Sequence, residues 1–591
     1  MSTAADTQTE YRKFDWNLLK RFLAYLSGHK GRIVLMYAMT VLQVASTILI
    51  PFFMQRTIDG PIAQKNVDGL MRMGALMLGA YFVMYFSARL QGKLVTKIGY
   101  SVLFSLRQDM FKKLQSLTFR FFDREKAGQI ITRLTSDVQI LEMILQGGLA
   151  SFFVDVLMMI GITVMMLSLD LRLSLVLFFT VPMFGIVVFY VRRKILEVAR
   201  KVQGKLGVLN GFLNESITGV KVIRSFAREE INSSEFRDMN NDYYAVSRRF
   251  YPLIAFFWQS VVVISIFSRA LVLLGGGLLL YKGAITIGVI AAFLSYINQF
   301  FNPMQKISNL INEMSRAMAS CERIFEIMDE PVEIRDDRDA VKGVKIEGRV
   351  RFDHVGFHYN EDEPVLTDVS MDVPAGKTVA IVGPTGAGKS TIVNLMCRFY
   401  DTVEGRIYID DHPIKGIAQD DYRAQLAIVM QDSVIFSGTV FDNIRYAKPD
   451  ASLEDVRSVA SHMGIDNMFS SMPKGYDTEV GERGANLSLG QKQLIAFTRA
   501  LLRDPKILIL DEASAYIDTA TEQLVHEAMQ HLRKNRTTFI IAHRLSTIRE
   551  SDVIMVIDDG KIVESGTHEG LISKNGRYAD LLRTQYALPA S

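Results

Sequence analysis

Apolar residues fall in two different patterns along this chain. Over roughly the first half they run on almost without charge: Ile33–Phe53, Met73–Ser87 with milder residues on both sides, Leu149–Leu169 broken only by Asp155, Leu173–Val191, Leu253–Leu280 carrying Arg269, and Gly288–Phe301, which continues as an amphipathic stretch toward Met328. A helix of about 20 residues crosses the hydrocarbon of a bilayer, so this half predicts an all-α membrane domain of six transmembrane helices. In the second half short β-rich runs, such as VRFDHVGFHY (350–359) and KTVAIVG (377–383), alternate with helical stretches. That alternation predicts a cytosolic α/β domain. The expected division is an N-terminal segment 1–30, a transmembrane domain 31–329, a linker 330–344 and the α/β domain 345–591.

Charge orients the helices. Basic residues crowd Gly92–Leu145 (Lys93, Lys97, Arg107, Lys112, Lys113, Arg120 among them) and Arg192–Tyr251 (Arg193, Lys194, Arg200, Lys201, Arg248, Arg249 among them), while the connections near Asp170 and Tyr281 are short and nearly uncharged. Positive loops stay cytosolic, which places both long loops and both termini inside. The loops read as helices extending below the bilayer, and no nucleic-acid partner is needed to explain their charge. Asp155 and Arg269 are ionisable groups within spans; such groups face a cavity, pair with each other or snorkel to an interface.

Composition agrees with the membrane reading. Of 591 residues 49% are hydrophobic, and the net charge is +4. Cys321 and Cys397 have no second Cys or His at metal-ligand spacing and read as buried thiols. The first residues, MSTAADTQTEYRKFDWNLLKRF, lack an apolar core and a small-residue cleavage site, so they do not read as a signal peptide.

Two motifs carry chemistry. TVAIVGPTGAGKST sets a strand before Gly383-Pro384-Thr385-Gly386-Ala387-Gly388-Lys389-Ser390-Thr391. This is a phosphate loop, whose glycines let backbone N–H groups face phosphate oxygens. Lys389 would reach the β- and γ-phosphates and Ser390 would ligate Mg²⁺. KILILDEAS ends a strand in Asp511 and Glu512. Asp511 would hold Mg²⁺ through water, and Glu512 would take the proton of attacking water.

On these motifs the chain resembles ABC transporters of the exporter type, in which one transmembrane domain is fused to one ATP-binding domain. The resemblance runs from about Trp16 onward and includes FFDREKAGQIITRLTSDVQ (121–139) and LNESITGVKVIRSFARE (213–229), similar to the family's two coupling-helix loops. It implies that Tyr359 stacks on adenine, that Gln431 senses Mg²⁺ and the attacking water, and that His543 contacts the γ-phosphate. It further implies that Glu479–Gly484 touches the coupling helices. Ser488, Gly490 and Gln491 match the signature that reads the ATP of a second ATP-binding domain, and Asp518 closes the loop after Glu512. ATP and Mg²⁺ are the implied ligands, and two half transporters the implied unit.

Four residues depart from the family pattern. Leu489 replaces a signature glycine, Ala515 replaces a serine and Tyr516 is bulky; Met430 stands where proline is usual. The first three serve the partner's nucleotide, whereas Lys389, Ser390, Gln431, Asp511, Glu512 and His543 serve the chain's own. The split resembles the glutamate-bearing half of heterodimeric multidrug exporters. A homodimeric exporter or lipid flippase is the alternative, with an ATP-gated channel or regulator behind it. The expected cargo is a small apolar or amphipathic molecule: drug, lipid or peptide.

Overall fold

Hydrocarbon offers no hydrogen-bond partners, so each apolar run must satisfy its backbone within itself, and a helix does so. The computed structural model describes residues 15–337, 339–431, 433–511, 519–542 and 544–586. In it the apolar runs lie in the helices Lys30–Thr57, Val67–Ser116, Ala150–Leu169, Leu171–Phe178 with Thr180–Thr218, Glu229–Tyr281 and Ile287–Asp329. Among the described residues five helical stretches are long and apolar enough to cross a membrane. Ile287–Asp329 is not among these five, because Asn298, Gln299 and Asn302 dilute its apolar residues. It can carry them because it faces protein: Phe293, Tyr296, Ile297 and Phe300 are buried against Ile162, Leu173, Val261 and Ile264. The Tyr296 hydroxyl donates to the Ile48 carbonyl at 2.7 Å. By contrast, none of the apolar window of Val67–Ser116 is buried, as suits a surface meeting lipid or another chain.

The fourth run departs from a single helix. It breaks at Phe179, between Leu171–Phe178 and Thr180–Thr218. Pro182 is the cause, since its ring cannot donate to and crowds the carbonyl of Phe178, one turn earlier. Beside the break the Thr180 hydroxyl donates to the Leu177 carbonyl at 2.7 Å, and Ser268 donates to Thr180 at 2.9 Å.

The two ionisable groups in the spans do not pair with each other. Asp155 is buried and meets Lys306 at 3.5 Å. Arg269 donates to Ser265 at 3.2 Å on its own helix. A buried carboxylate, Asp137, accepts from Arg323 Nε at 2.8 Å, from Arg323 Nη2 and from Ser320 at 2.9 Å. It ties the turn Arg133–Asp137 to the Ile287–Asp329 helix. Cys321 and Cys397 are both free and buried.

The chain divides into two compact units. The first comprises the described residues up to Gln115 with Ala127–Glu330, and the second comprises Ser116–Lys126 with the described residues from Pro331 onward. The second unit has a six-stranded sheet ordered Lys561–Gly566, Val553–Asp558, Thr378–Val382, Thr537–Ile541, Ile507–Asp511, Leu426–Val429. Its first pair is antiparallel and the rest are parallel. The central strands are buried along almost their whole length, as in sheets covered on both faces. A four-stranded antiparallel sheet, centred on Val350–His358 and Glu404–Ile409, packs through Phe352, Val355 and Ile407 against Ile381 and Ile392. Arg398, 1% exposed, donates to Asp336, to the Arg335 carbonyl and to the Ile417 carbonyl, fixing the start of this unit to its body.

Asp137→Ala leaves Arg323 and Ser320 without their shared acceptor. The expected cost is about 1–3 kcal/mol, softened because Arg323 can turn to water. It should appear as a lower thermal midpoint of the purified protein, with a smaller drop for Asp137→Asn; midpoints equal to wild type for both would show the pair to be idle.

Candidate functional site

The site grows from the C-terminal ends of the parallel strands, the edge at which open α/β sheets bind ligands. Thr378–Val382 runs into the loop 383–388, and the helix Lys389–Met396 follows. Two glycines set the loop's shape. A Cβ on Gly383 would lie 2.1 Å from the Ile557 carbonyl oxygen of the neighbouring strand. Gly388 caps the helix in the left-handed region (φ +102°), where a Cβ would also meet Leu366 at 2.6 Å. Gly386, at the crest, has nothing within 4 Å of its missing Cβ. The crest is open and the flanks are closed, which makes a cradle for an anion at a helix N-terminus.

Lys389 curls back over this loop. Its ammonium donates to the carbonyls of Gly383 at 2.9 Å and Pro384 at 2.8 Å. Burial lowers its pKa, and the charge of Asp511 works in the opposite direction. Thr385 and Ser390 are exposed, Ala387 and Thr391 buried. The Ser390 hydroxyl and the Asp511 carboxylate are hard oxygen donors, the type that suits Mg²⁺. Asp511 ends the strand Ile507–Asp511 and pairs in register with Ile541. A small cavity of about 30 Å³ beside Asp511 is lined by Met430, Gln493, His526 and Arg544. Gln431, just past the strand Leu426–Val429, is exposed.

Tyr359 is half-buried at the start of the same helix. Its hydroxyl lies 3.3 Å from Thr391 Oγ1 and accepts from Asn394 Nδ2 at 3.1 Å. Its ring meets Tyr400 edge-on at 5.1 Å. Tyr400 in turn donates to Asp123, on the short helix Phe119–Arg124, and Phe119 packs on Phe399 at 4.1 Å. Burial first, then the bond to Asp123, holds the Tyr400 phenol protonated. Contacts therefore run from Tyr359 through Tyr400 to the first basic loop. Sequence reasoning singled out Tyr359 and that loop but missed Tyr400 and Asp123, whose only signal was an aromatic pair, Phe399-Tyr400, after the helix.

Ser488, Gly490 and Gln491 open the helix Leu489–Leu502. Ser488 caps it: its hydroxyl accepts from Gln491 N at 3.2 Å, and its own N–H donates to Gln491 Oε1 at 2.9 Å. These groups bond to each other rather than to the phosphate loop. Leu489 takes the first helical position, which needs no glycine conformation. Just before the helix, the Arg483 carbonyl within Glu479–Gly484 accepts from Lys492 Nζ at 3.0 Å. Glu512, His543, Asp518, Ala515 and Tyr516 lie outside the described residues.

Comparison with known proteins points the same way. Residues 33–304 match a family model for the ABC transporter transmembrane region, and residues 366–515 match one for the ABC transporter. The chain is 38% identical to an uncharacterized ABC transporter ATP-binding protein, YknV, of Bacillus subtilis, covering 98% of this chain and 96% of that one. It is 34% identical to the putative multidrug export ATP-binding/permease protein YgaD of the same organism, covering 96% and 99%. A fatty acid ABC transporter ATP-binding/permease protein of Mycobacterium tuberculosis is 36% identical, over 86% of this chain and 80% of that one. Among solved structures, a bacterial Atm1-family ABC exporter with ATP bound superposes with a TM-score of 0.76 at 28% identity, covering 98% and 100%.

Gly388→Ala tests the cradle. Forcing a side chain into the left-handed region against Leu366 should cost more than about 1 kcal/mol locally. Affinity for a fluorescent ATP analogue should drop about tenfold while circular dichroism stays that of wild type; unchanged affinity would dissociate this loop from the nucleotide.

Proposed function

The chain belongs to the ABC transporter family, as a transmembrane region fused to an ATP-binding domain, and from that premise we propose that it is the catalytic half of a heterodimeric exporter of apolar or amphipathic molecules. As a member of that family it is a membrane-embedded transporter whose ATP hydrolysis drives transport. ABC exporters act as dimers in the bilayer, and the partner and the cargo are the proposal.

The residue roles follow from chemistry. Backbone N–H groups of Gly383–Gly388 and the ammonium of Lys389 take the phosphates, with Lys389 exchanging its own-loop carbonyls for phosphate oxygens. Thr385 and Thr391 flank this cradle, and Tyr359 offers an aromatic face to adenine. Ser390, Gln431 and Asp511 are the oxygen donors for Mg²⁺, which when bound would offset phosphate charge. Glu512 accepts the proton of the attacking water, and Gln431 and His543 orient that water and the γ-phosphate. Ser488, Gly490, Gln491 and Asp518 face the nucleotide held by the partner. The ATP-binding unit works on the cytosolic side of a bacterial inner membrane.

One observation carries the heterodimer: of the four departures, Leu489, Ala515 and Tyr516 fall on elements serving the partner's nucleotide, while Lys389, Ser390, Gln431, Asp511, Glu512 and His543, which serve the chain's own, are all present. Leu489 adds a branched side chain next to the Ser488 hydroxyl at the helix start, where a phosphate must approach closely. Both the multidrug and fatty acid relatives support an apolar or amphipathic cargo.

The chain expressed alone should hydrolyse Mg-ATP slowly, and co-expression with a sister half lacking the glutamate should raise the rate at least about tenfold. Glu512→Gln should abolish the activity of the pair. Brisk hydrolysis by the lone chain, abolished by Glu512→Gln, would establish the homodimer instead.

A further inference from the structure

A pocket of about 300 Å³ lies within the membrane unit, among the helices Lys30–Thr57, Val67–Ser116, Ala150–Leu169 and Ile287–Asp329. Its lining is mostly polar, with Gln43, Gln91, Thr96, Gln146, Asp155 and Lys306 contributing. Such residues in or beside a bilayer are costly and mark ligand paths when they surround a cavity. Gln43 Oε1 is buried and has no hydrogen-bond partner. Gln146 donates to Glu142 at 3.0 Å, which sets a second carboxylate behind the wall. Among the described residues Lys306 is the one cation of the lining.

The ion pair in this pocket is unequal. The side chain of Asp155 is 6% exposed and that of Lys306 is 64% exposed, at a loose separation of 3.5 Å. The negative charge is walled in by protein, whereas the positive one hangs on a flexible stem. A cation that enters can replace the Lys306 ammonium, since the lysine turns to the open space it already faces and Asp155 keeps a counter-charge. An anion that enters would draw Lys306 away and leave Asp155 buried and unpaired, the costliest state for such a group. A neutral guest gains contacts with the amides and with Val95 and Val154, but offers Asp155 no counter-charge.

We propose that this pocket binds amphipathic organic cations, with the cationic centre against Asp155 in place of Lys306 and the apolar body along the helix walls. As a cargo site this rests on the exporter reading given above; as a binding site it does not. Arg269, bonded to Ser265 on its own helix, takes no part.

The test uses the full chain in lipid nanodiscs without nucleotide. The probes are tetraphenylphosphonium and tetraphenylborate, ions of similar size and opposite charge, counted by equilibrium dialysis against empty discs. Wild type should bind the phosphonium saturably and the borate not. Asp155→Asn should weaken phosphonium binding about tenfold or more, and Lys306→Gln should hold or tighten it. The assignment is overturned if wild type binds no phosphonium, if it binds the borate as tightly, if Asp155→Asn changes nothing, or if Lys306→Gln loses as much as Asp155→Asn. Should Asp155→Asn not purify as a monodisperse protein, Lys306→Gln decides alone: affinity held or raised supports the site, affinity lost overturns it. Stimulation of ATP hydrolysis by the phosphonium is read separately; binding without stimulation keeps the site and counts against export of such cations.

Discussion

A bilayer interior supplies no hydrogen bonds, and the first unit of this protein is shaped by that fact. Its apolar runs are helices of up to 53 residues that continue well beyond the hydrocarbon. Where a helix stops or breaks, a side chain takes over the stranded backbone. Asp170 accepts from Leu173 N at 2.8 Å in one short connection. Asp59 accepts from Gly288 N at 2.9 Å and from the Thr286 hydroxyl at 2.5 Å, capping the last helix. At Phe179, near Pro182, the Thr180 hydroxyl donates to the Leu177 carbonyl and accepts from Ser268.

The second unit works by leaving space rather than filling it. Gly383 and Gly388 permit backbone approaches that no side chain would allow, and Gly386 leaves the crest of the loop open. The surrounding sheet is densely apolar, so the loop and Asp511 project from a rigid edge. The line of contacts from Tyr359 through Tyr400 to Asp123 then joins this edge to a segment that comes from between two membrane helices in sequence. A rearrangement around the nucleotide has a short, packed route to that segment.

Much of this was legible in the sequence because it is local. A charge-free run such as Ile33–Phe53 can be little else than a span, and a strand followed by GPTGAGKS positions its own glycines, lysine and serine within one turn of chain. Leu489 was visible as a departure, but its consequence was not. The structure puts it at an ordinary helical position, so the change lies in the side chain beside Ser488, not in lost backbone freedom. The fourth span read as unbroken, although Pro182 stood in it, because hydropathy carries no hydrogen-bond information.

What the sequence determined by itself is thus the class of each half and the phosphate loop, both of which depend on residues close together in the chain. What only the tertiary structure decided are the pairings across distance. Asp155 meets Lys306, 151 residues away, rather than Arg269; Asp137 holds Arg323, 186 residues away; Tyr400 finds Asp123, 277 residues away. No local pattern selects these partners. Each carboxylate takes the donor that packing brings within reach, and packing is a property of the whole unit.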